Sequence, residues 1–224
     1  MIYRHELKHR VNMADYYILR NRLKYIMDID PHGDENGMYI IRSLYFDTPS
    51  DKALREKIDG LDIREKFRLR LYNHDKNYIR LEKKSKRKSL NNKLSEELSF
   101  KEAEAIIQCN FTKIKTIEKP LVKELYVKMQ NELLRPRTIV QYKREAYIYK
   151  PGNIRITFDT ELKTGIFSNK LFDFDIPLVT PGEPAAILEA KYDEFIPDHI
   201  LKLIQLNNRH ASAFSKYAAC RIYG

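Results

Sequence analysis

Ile63-Arg64-Glu65-Lys66-Phe67-Arg68-Leu69-Arg70-Leu71-Tyr72 is followed, after the turn residues Asn73-His74-Asp75-Lys76-Asn77, by Ile79-Arg80-Leu81-Glu82-Lys83-Lys84-Ser85-Lys86-Arg87-Lys88. Read with a period of two, the first run puts Arg64, Lys66, Arg68, Arg70 and Tyr72 on one face and Ile63, Phe67, Leu69 and Leu71 on the other. The second run sets Arg80, Glu82, Lys84, Lys86 and Lys88 against Ile79 and Leu81. The pair predicts a hairpin with one charged and one apolar side. Like charges on neighbouring strands repel, so the charged side is stable only where water solvates it or a polyanion covers it. On the hairpin alone both readings stand.

The same alternation recurs along the chain. Tyr3 to Val11 sets Arg4, Glu6, Lys8 and Arg10 against Tyr3, His5, Leu7, His9 and Val11. Tyr39 to Asp47 sets Ser43, Tyr45 and Asp47 against Leu44 and Phe46. Ile154 to Leu162 sets Arg155, Thr157, Asp159 and Glu161 against Ile154, Ile156 and Phe158, and Ala186 to Tyr192 sets Glu189 and Lys191 against Leu188 and Ala190. Arg137 to Tyr149 is a further strand, and shorter ones are expected at Leu94 to Leu98, after a polar turn at Ser89 to Lys93, and at Leu171 to Asp175. Between them lie helical segments. One runs from an Asn12 or Asp15 cap to about Met27 with Tyr16, Leu19, Leu23 and Ile26 inward. Others are a short one ending at Ile58, one from a Ser99/Glu102 capping box to Cys109, one from Pro120 to about Leu134 ended by Pro136, and a mostly helical tail from His199 to Tyr223. Strands that all carry one charged face, with helices to cover the apolar ones, predict an α+β fold. Its centre is an antiparallel β-barrel of roughly eight strands with a polar lumen, flanked by helices, and 1–224 forms a single domain.

Composition narrows the partner. Lys plus Arg number 41 against 31 Asp plus Glu, a formal charge of +10, so the ligand is anionic. A lumen lined with Arg and Lys needs counter-ions, and phosphate oxygens match guanidinium and ammonium groups in charge and hydrogen bonding. Acidic residues in the same site point to a divalent cation bridging carboxylate and phosphate. The six histidines show no ligand spacing, and His5 and His9 sit on an apolar face. No RRM, KH or helix-turn-helix signature is present and the aromatics lie on apolar faces, so no nucleic-acid partner is expected. Two cysteines without CxxC spacing, no apolar run near 20 residues and no signal-like N-terminus lead to the expectation of a cytoplasmic protein.

Several motifs in order now carry a resemblance. Arg4-x-Glu6-x-Lys8, Ser43-Leu44-Tyr45-Phe46-Asp47-Thr48, Lys66-Phe67-Arg68-Leu69-Arg70, Leu81-Glu82-Lys83-Lys84, Tyr142-Lys143-Arg144-Glu145-Ala146-Tyr147, Arg155-Ile156-Thr157-Phe158-Asp159, Ile187-Leu188-Glu189-Ala190-Lys191-Tyr192 and Phe214-Ser215-Lys216-Tyr217 are similar to the VTC-type polyphosphate polymerase domain, one of the triphosphate tunnel metalloenzymes. The resemblance spans nearly the whole chain. It implies a tunnel that binds ATP and inorganic polyphosphate, uses Mn2+ or Mg2+, and transfers the ATP γ-phosphate to a growing chain with release of ADP. It places Lys8, Arg68, Arg70, Lys84, Arg144, Arg155 and Lys191 in the catalytic tunnel and Glu189 at the metal. Arg4, Glu6, Glu82 and Lys93 fall among the substrate-binding residues, with Ser215 and Lys216 at one mouth.

Arg4 stands where the superfamily's first-strand pattern has a glutamate, which favours the polymerase branch. The regulatory and membrane domains of eukaryotic members are not expected here, and any association with the inner face of a membrane is expected to run through a separate protein. The chemistry fits the same residues: phosphoryl transfer asks a protein for positioning and charge neutralisation, and a phosphate chain end is already an anionic nucleophile. Hydrolysis of tripolyphosphate or nucleoside triphosphates in the same tunnel, and polyanion binding without catalysis, are the alternatives.

Overall fold

The computed structural model describes residues 5–87, 90–182, 185–205 and 214–222. In chain order the elements are β1 (His5–Val11), α1 (Met13–Lys24), β2 (Asp28–Ile29), β3 (Met38–Asp47), α2 (Lys52–Ile58), β4 (Ile63–Tyr72), β5 (Ile79–Arg87), β6 (Leu90–Leu98), α3 (Phe100–Ile107), α4 (Phe111–Lys115), α5 (Pro120–Asn131), β7 (Arg135–Tyr149), β8 (Ile154–Thr164), β9 (Ala186–Tyr192), α6 (Asp198–Ile204) and α7 (Lys216–Ile222). Hydrogen bonding orders eight of the strands β1-β9-β8-β7-β3-β4-β5-β6, with the two-residue β2 pairing beside β7. Pairings of β1 with β9, β8 with β9, and β3, β4, β5 and β6 in succession are all antiparallel. The α+β class and the antiparallel eight-strand sheet with flanking helices follow the expectation from the sequence.

Two compact units divide the chain. The first comprises Met1–Ile40, Tyr142–Leu162 and Gly182–Phe214, and the second Ile41–Gln141, Lys163–Pro181 and Ser215–Gly224. In the first, Asn12 caps α1 by accepting from the Asp15 amide at 2.7 Å, and Tyr16, Leu19 and Leu23 pack with Met27, Ile156, Phe158, Leu188 and Ile200. One carboxylate is buried on this apolar side: Glu145 accepts from the Tyr16 and Tyr147 hydroxyls and from Arg20 at 2.8 Å. Those donors compensate its burial.

The second unit packs α3, α4 and α5 over Leu44, Phe46, Phe67, Leu69, Leu71, Ile79 and Leu81, the apolar sides of β3, β4 and β5. Ser99 and Glu102 form the expected capping box at α3. On the same covered side Lys83 pairs with Glu65 at 2.9 Å and also with Glu124, and Glu65 pairs with Lys128, so these two polar interruptions of the hairpin's apolar face meet α5 as ion pairs. Arg42 is fully buried and donates to Gln141 at 3.0 Å and to the Lys170 and Asp173 carbonyls at 3.2 and 2.5 Å, tying the 165–181 loop to β3.

Several element boundaries differ from expectation. Ile26 lies beyond the end of α1 and is exposed, while Met27 turns inward. The turn expected at Ser89 to Lys93 is mostly strand, because Lys93 and its neighbours pair along β5. Helix α5 stops at Asn131, where Leu133 takes a left-handed backbone (φ 56°) and reverses the chain, and Pro136 becomes the second residue of β7. Residues 171–175 form turns and no strand, the nearest pairing being a single bridge from Thr164 to Val179. Of the expected helical tail, α6 and α7 are present and 206–213 lie outside the described residues.

Candidate functional site

Each unit gathers its charged strand residues into a cluster. In the second unit, β4 presents Lys66, Arg68 and Arg70 in register with Lys84, Glu82 and Arg80 of β5, and β5 continues to Lys93, Ser95 and Glu97 of β6. On the other side Arg68 and Arg70 face Tyr45 and Ser43 of β3. Glu82, 2% exposed, is the shared counter-ion: its Oε2 lies 2.6 Å from Arg68 and 3.7 Å from Arg70, and its Oε1 lies 2.5 Å from Lys93. Burial works against the Glu82 charge, but Arg68, Arg70 and Lys93 outweigh it and hold the carboxyl far below the usual range. Among the described residues of β4, β5 and β6, eight cations on this face, Arg64, Lys66, Arg68, Arg70, Arg80, Lys84, Lys86 and Lys93, therefore meet two carboxylates, Glu82 and Glu97.

Tyr45 is part of this cluster. Its phenol oxygen accepts from Arg68 at 2.7 Å, and the Arg68 guanidinium and Lys66 ammonium stand 5.6 and 5.8 Å from its ring centre. The ring also stacks on Tyr217 of α7 at 5.1 Å. Arg70 donates to Ser43 at 3.1 Å. Helix α7 is pinned by the Tyr217 hydroxyl donating to Asp47 at 2.5 Å and by Arg221 donating to Asp51 at 2.9 Å. Ser215 immediately precedes α7 and its Oγ accepts from the Ala218 amide at 3.4 Å, so it acts as a helix cap and holds Lys216 at the first helical position.

In the first unit the register Glu6↔Lys191↔Arg155 and Lys8↔Glu189↔Thr157 runs across β1, β9 and β8. Glu189 lies 3.0 Å from Lys191, 4.0 Å from Lys8 and 3.9 Å from Arg144. Burial pushes its carboxyl up, yet these three cations bring it well below the usual range. Lys191 is drawn towards its neutral form by burial, with Glu189 opposing; about 35% of its side chain reaches solvent, and we take the charged pair as the resting state. Arg144 grips Asp159 through two bonds of 2.6 and 2.8 Å, and Lys8 also pairs with Glu6. Arg155 donates to Asp30 and to the Tyr39 hydroxyl, both at 2.7 Å. Here four cations, Lys8, Arg144, Arg155 and Lys191, meet four carboxylates, Glu6, Asp30, Asp159 and Glu189.

The residues singled out from the sequence thus fall into two groups. Lys8, Glu6, Arg144, Arg155, Glu189 and Lys191 come together in the first unit, and Arg68, Arg70, Glu82, Lys84 and Lys93 in the second, which also holds Ser215 and Lys216. Arg4 lies outside the described residues. Around Glu189 the structure places cations, and among the described residues no group of three His, Cys, Asp or Glu side chains is gathered for a metal. Asp30, Tyr39 and Tyr45 enter the clusters unforeseen. Tyr45 was legible as a charged-face position, whereas Asp30 lies between β2 and a loop and carries no periodic signal.

The sequence from residue 3 to residue 222 matches the model of the VTC domain. The chain belongs to the VTC domain family. No curated protein matches the sequence. Among solved structures, one described as a "putative adenylate cyclase" from Bacillus halodurans is similar with a TM-score of 0.56 at 13% identity, covering 91% of this chain and 87% of its own. The PH1819 protein from Pyrococcus horikoshii OT3 follows with a TM-score of 0.43 at 14% identity, covering 90% and 84%. At such identities the first likeness speaks for the fold. As a VTC domain, the chain places its two charged clusters on the strands that carry the motifs quoted above.

Proposed function

We propose that this VTC domain is an ATP-dependent polyphosphate polymerase, which transfers the γ-phosphate of ATP to the end of a polyphosphate chain and releases ADP. The observation that carries this reading is the second unit's cation row, in which Arg68, Arg70 and Lys93 share the single buried carboxylate of Glu82. The remaining positive charge calls for an anion with regularly spaced oxygens, and Arg68 and Arg70, two residues apart on one strand, repeat at roughly 7 Å, within reach of successive phosphates. An anionic chain end needs no general base, and the clusters offer charge neutralisation without one. Neutralising charge in the transition state is then the work of Arg68 and Arg70.

A divalent ion, Mn2+ or Mg2+, fits the first unit through its donor set. The Glu6 and Glu189 carboxyls are neighbours, and such ions take one or two carboxylates together with substrate phosphates. When bound, the ion would neutralise charge on the phosphate oxygens beside it. Lys8, Lys191 and Arg144 repel a bare cation, so it binds well only alongside phosphate. ATP and inorganic polyphosphate are the proposed partners. A cytoplasmic location, with any membrane contact made through a separate protein, accords with the cysteine usage; among the described residues no helix is long and apolar enough to cross a membrane.

The test is to incubate the pure protein with ATP and Mn2+ and resolve ADP, free phosphate and long chains. Long chains with stoichiometric ADP support the polymerase; free phosphate alone would make it a hydrolase, and unchanged ATP a binding module. Arg70→Lys keeps the charge but loses the planar fork, so turnover should fall by about tenfold or more, whereas Lys113→Ala, on α4, should leave it unchanged.

A further inference from the structure

Thr157 sits at the centre of the first unit's charged face. It lies directly opposite Glu189 in register and between Arg155 and Asp159 on its own strand, with the Arg155–Lys191 pair as the next rung. It is 3% exposed, and among the described residues its Oγ1 has no hydrogen-bond partner. The groups around it are engaged with one another: Asp159 with Arg144, Glu189 with Lys191, and Arg155 with Asp30 and Tyr39. A buried hydroxyl without a partner is destabilising. Valine would fill nearly the same volume on a strand without that cost. The hydroxyl is therefore a burden on the protein alone that an arriving hydrogen-bond acceptor relieves.

The cations on the adjacent rung decide the kind of ligand. Arg155 and Lys191 attract an anion and repel a metal ion, and a threonine hydroxyl can give its proton to an anionic oxygen. We propose that Thr157 is a substrate-binding residue, donating its hydroxyl hydrogen to a phosphate oxygen seated over the Arg155–Lys191 pair. This deepens the polyphosphate reading and rests on it. Lys191 moves from Glu189 towards the phosphate as the ligand enters, and Thr157 then has its acceptor.

The test measures binding of inorganic tripolyphosphate to the full chain by calorimetry without metal, and the melting temperature without ligand, for wild type, Thr157→Val and Thr157→Ser. Thr157→Val should weaken tripolyphosphate binding by about tenfold or more, as expected for one hydrogen bond to a charged group. Its unliganded melting point should rise by about 2 °C or more, since the unmet hydroxyl is gone. Thr157→Ser should bind within about threefold of wild type, the hydroxyl being retained. A lower melting point in Thr157→Val would mean that the hydroxyl has an internal structural partner, and the inference would fall. It would fall equally if Thr157→Val bound tripolyphosphate like wild type, or if the substitution weakened only Mn2+ binding. Wild type that bound no tripolyphosphate would overturn the polyphosphate reading itself and this inference with it, an outcome distinct from the others.

Discussion

Burial alone would keep the Tyr45 phenol protonated far above neutral pH, but Arg68, Lys66 and Arg70 outweigh it and bring the group down to about 7. One tyrosine should therefore show phenolate absorbance near 295 nm with a midpoint close to neutral, and Tyr45→Phe should abolish that step. With the folded value depressed, the unfolded chain binds more protons between about 7 and the ordinary tyrosine value near 10. Stability relative to Tyr45→Phe should thus rise with pH across that window and be lost as pH falls through 7. A flat difference between the two proteins would remove the assignment. Bound tripolyphosphate supplies competing negative charge and should move the midpoint upward. Glu82 provides the complementary case. Glu82→Gln leaves Arg68 and Arg70 without their shared counter-ion and should cost about 3 kcal/mol of stability, as when one partner of a buried pair is removed. Tripolyphosphate should raise the melting temperature of Glu82→Gln more than that of wild type; an equal rise would show that the ligand does not engage these arginines.

At the scale of elements, Asp47 links three pieces of structure. Its carboxylate accepts from the Thr48 and Ala53 amides, each at 2.8 Å, from the Leu54 amide at 3.2 Å, and from Tyr217. It thereby caps α2 and anchors α7 to the end of β3, a role that falls to it because Asp51 adopts a left-handed backbone and makes no side-chain cap. Asp47→Asn would turn an amide N–H2 towards donors, and stability should fall by about 2 kcal/mol on denaturant unfolding; an unchanged midpoint would count against the linkage. Which elements were legible follows from where their signals lie. Alternation exposed β1, β4, β5, β8 and β9, and the Ser99/Glu102 box fixed the start of α3, because both are local patterns. The ends of α3 and α5 were opaque because Cys109 and Leu133 supply the left-handed residues there, where glycine is the recognisable choice. The Leu94 to Leu98 half of β6 was legible, but its first half hid in a polar run whose order comes from pairing along β5. Among site residues, Arg68, Arg70 and Arg155 announced themselves by spacing, whereas Arg144 came only with the family resemblance. The division of charge between clusters was not legible, since it depends on Asp30 reaching Arg155 from beyond β2 and on Asp159 meeting Arg144 of the neighbouring strand.

Taken whole, the molecule distributes its net charge of +10 unevenly, with the cation excess on the β4–β5–β6 face and a balanced set on β1, β9 and β8. Anion binding should accordingly weaken as salt is raised, through the exposed members such as Lys93 more than through buried Arg70. The pairing of β1 with β9 has a different consequence, in the making of the protein. Lys8 pairs with Glu189, about 180 residues further on, whereas β4 and β5 pair with their immediate successors. During synthesis at about 5–20 residues per second, β1 waits roughly ten to forty seconds for its partner to be made. The β4–β6 meander has closed by then, since local pairings pay the least loop entropy. On refolding, pulsed hydrogen exchange should find amides of β4–β6 protected before those of β1, and simultaneous protection would show that the two ends of the chain meet first. Until β9 arrives, β1 is an unclaimed strand edge, and its alternate charges, Glu6, Lys8 and Arg10, are the features that keep it from pairing with a neighbouring nascent chain.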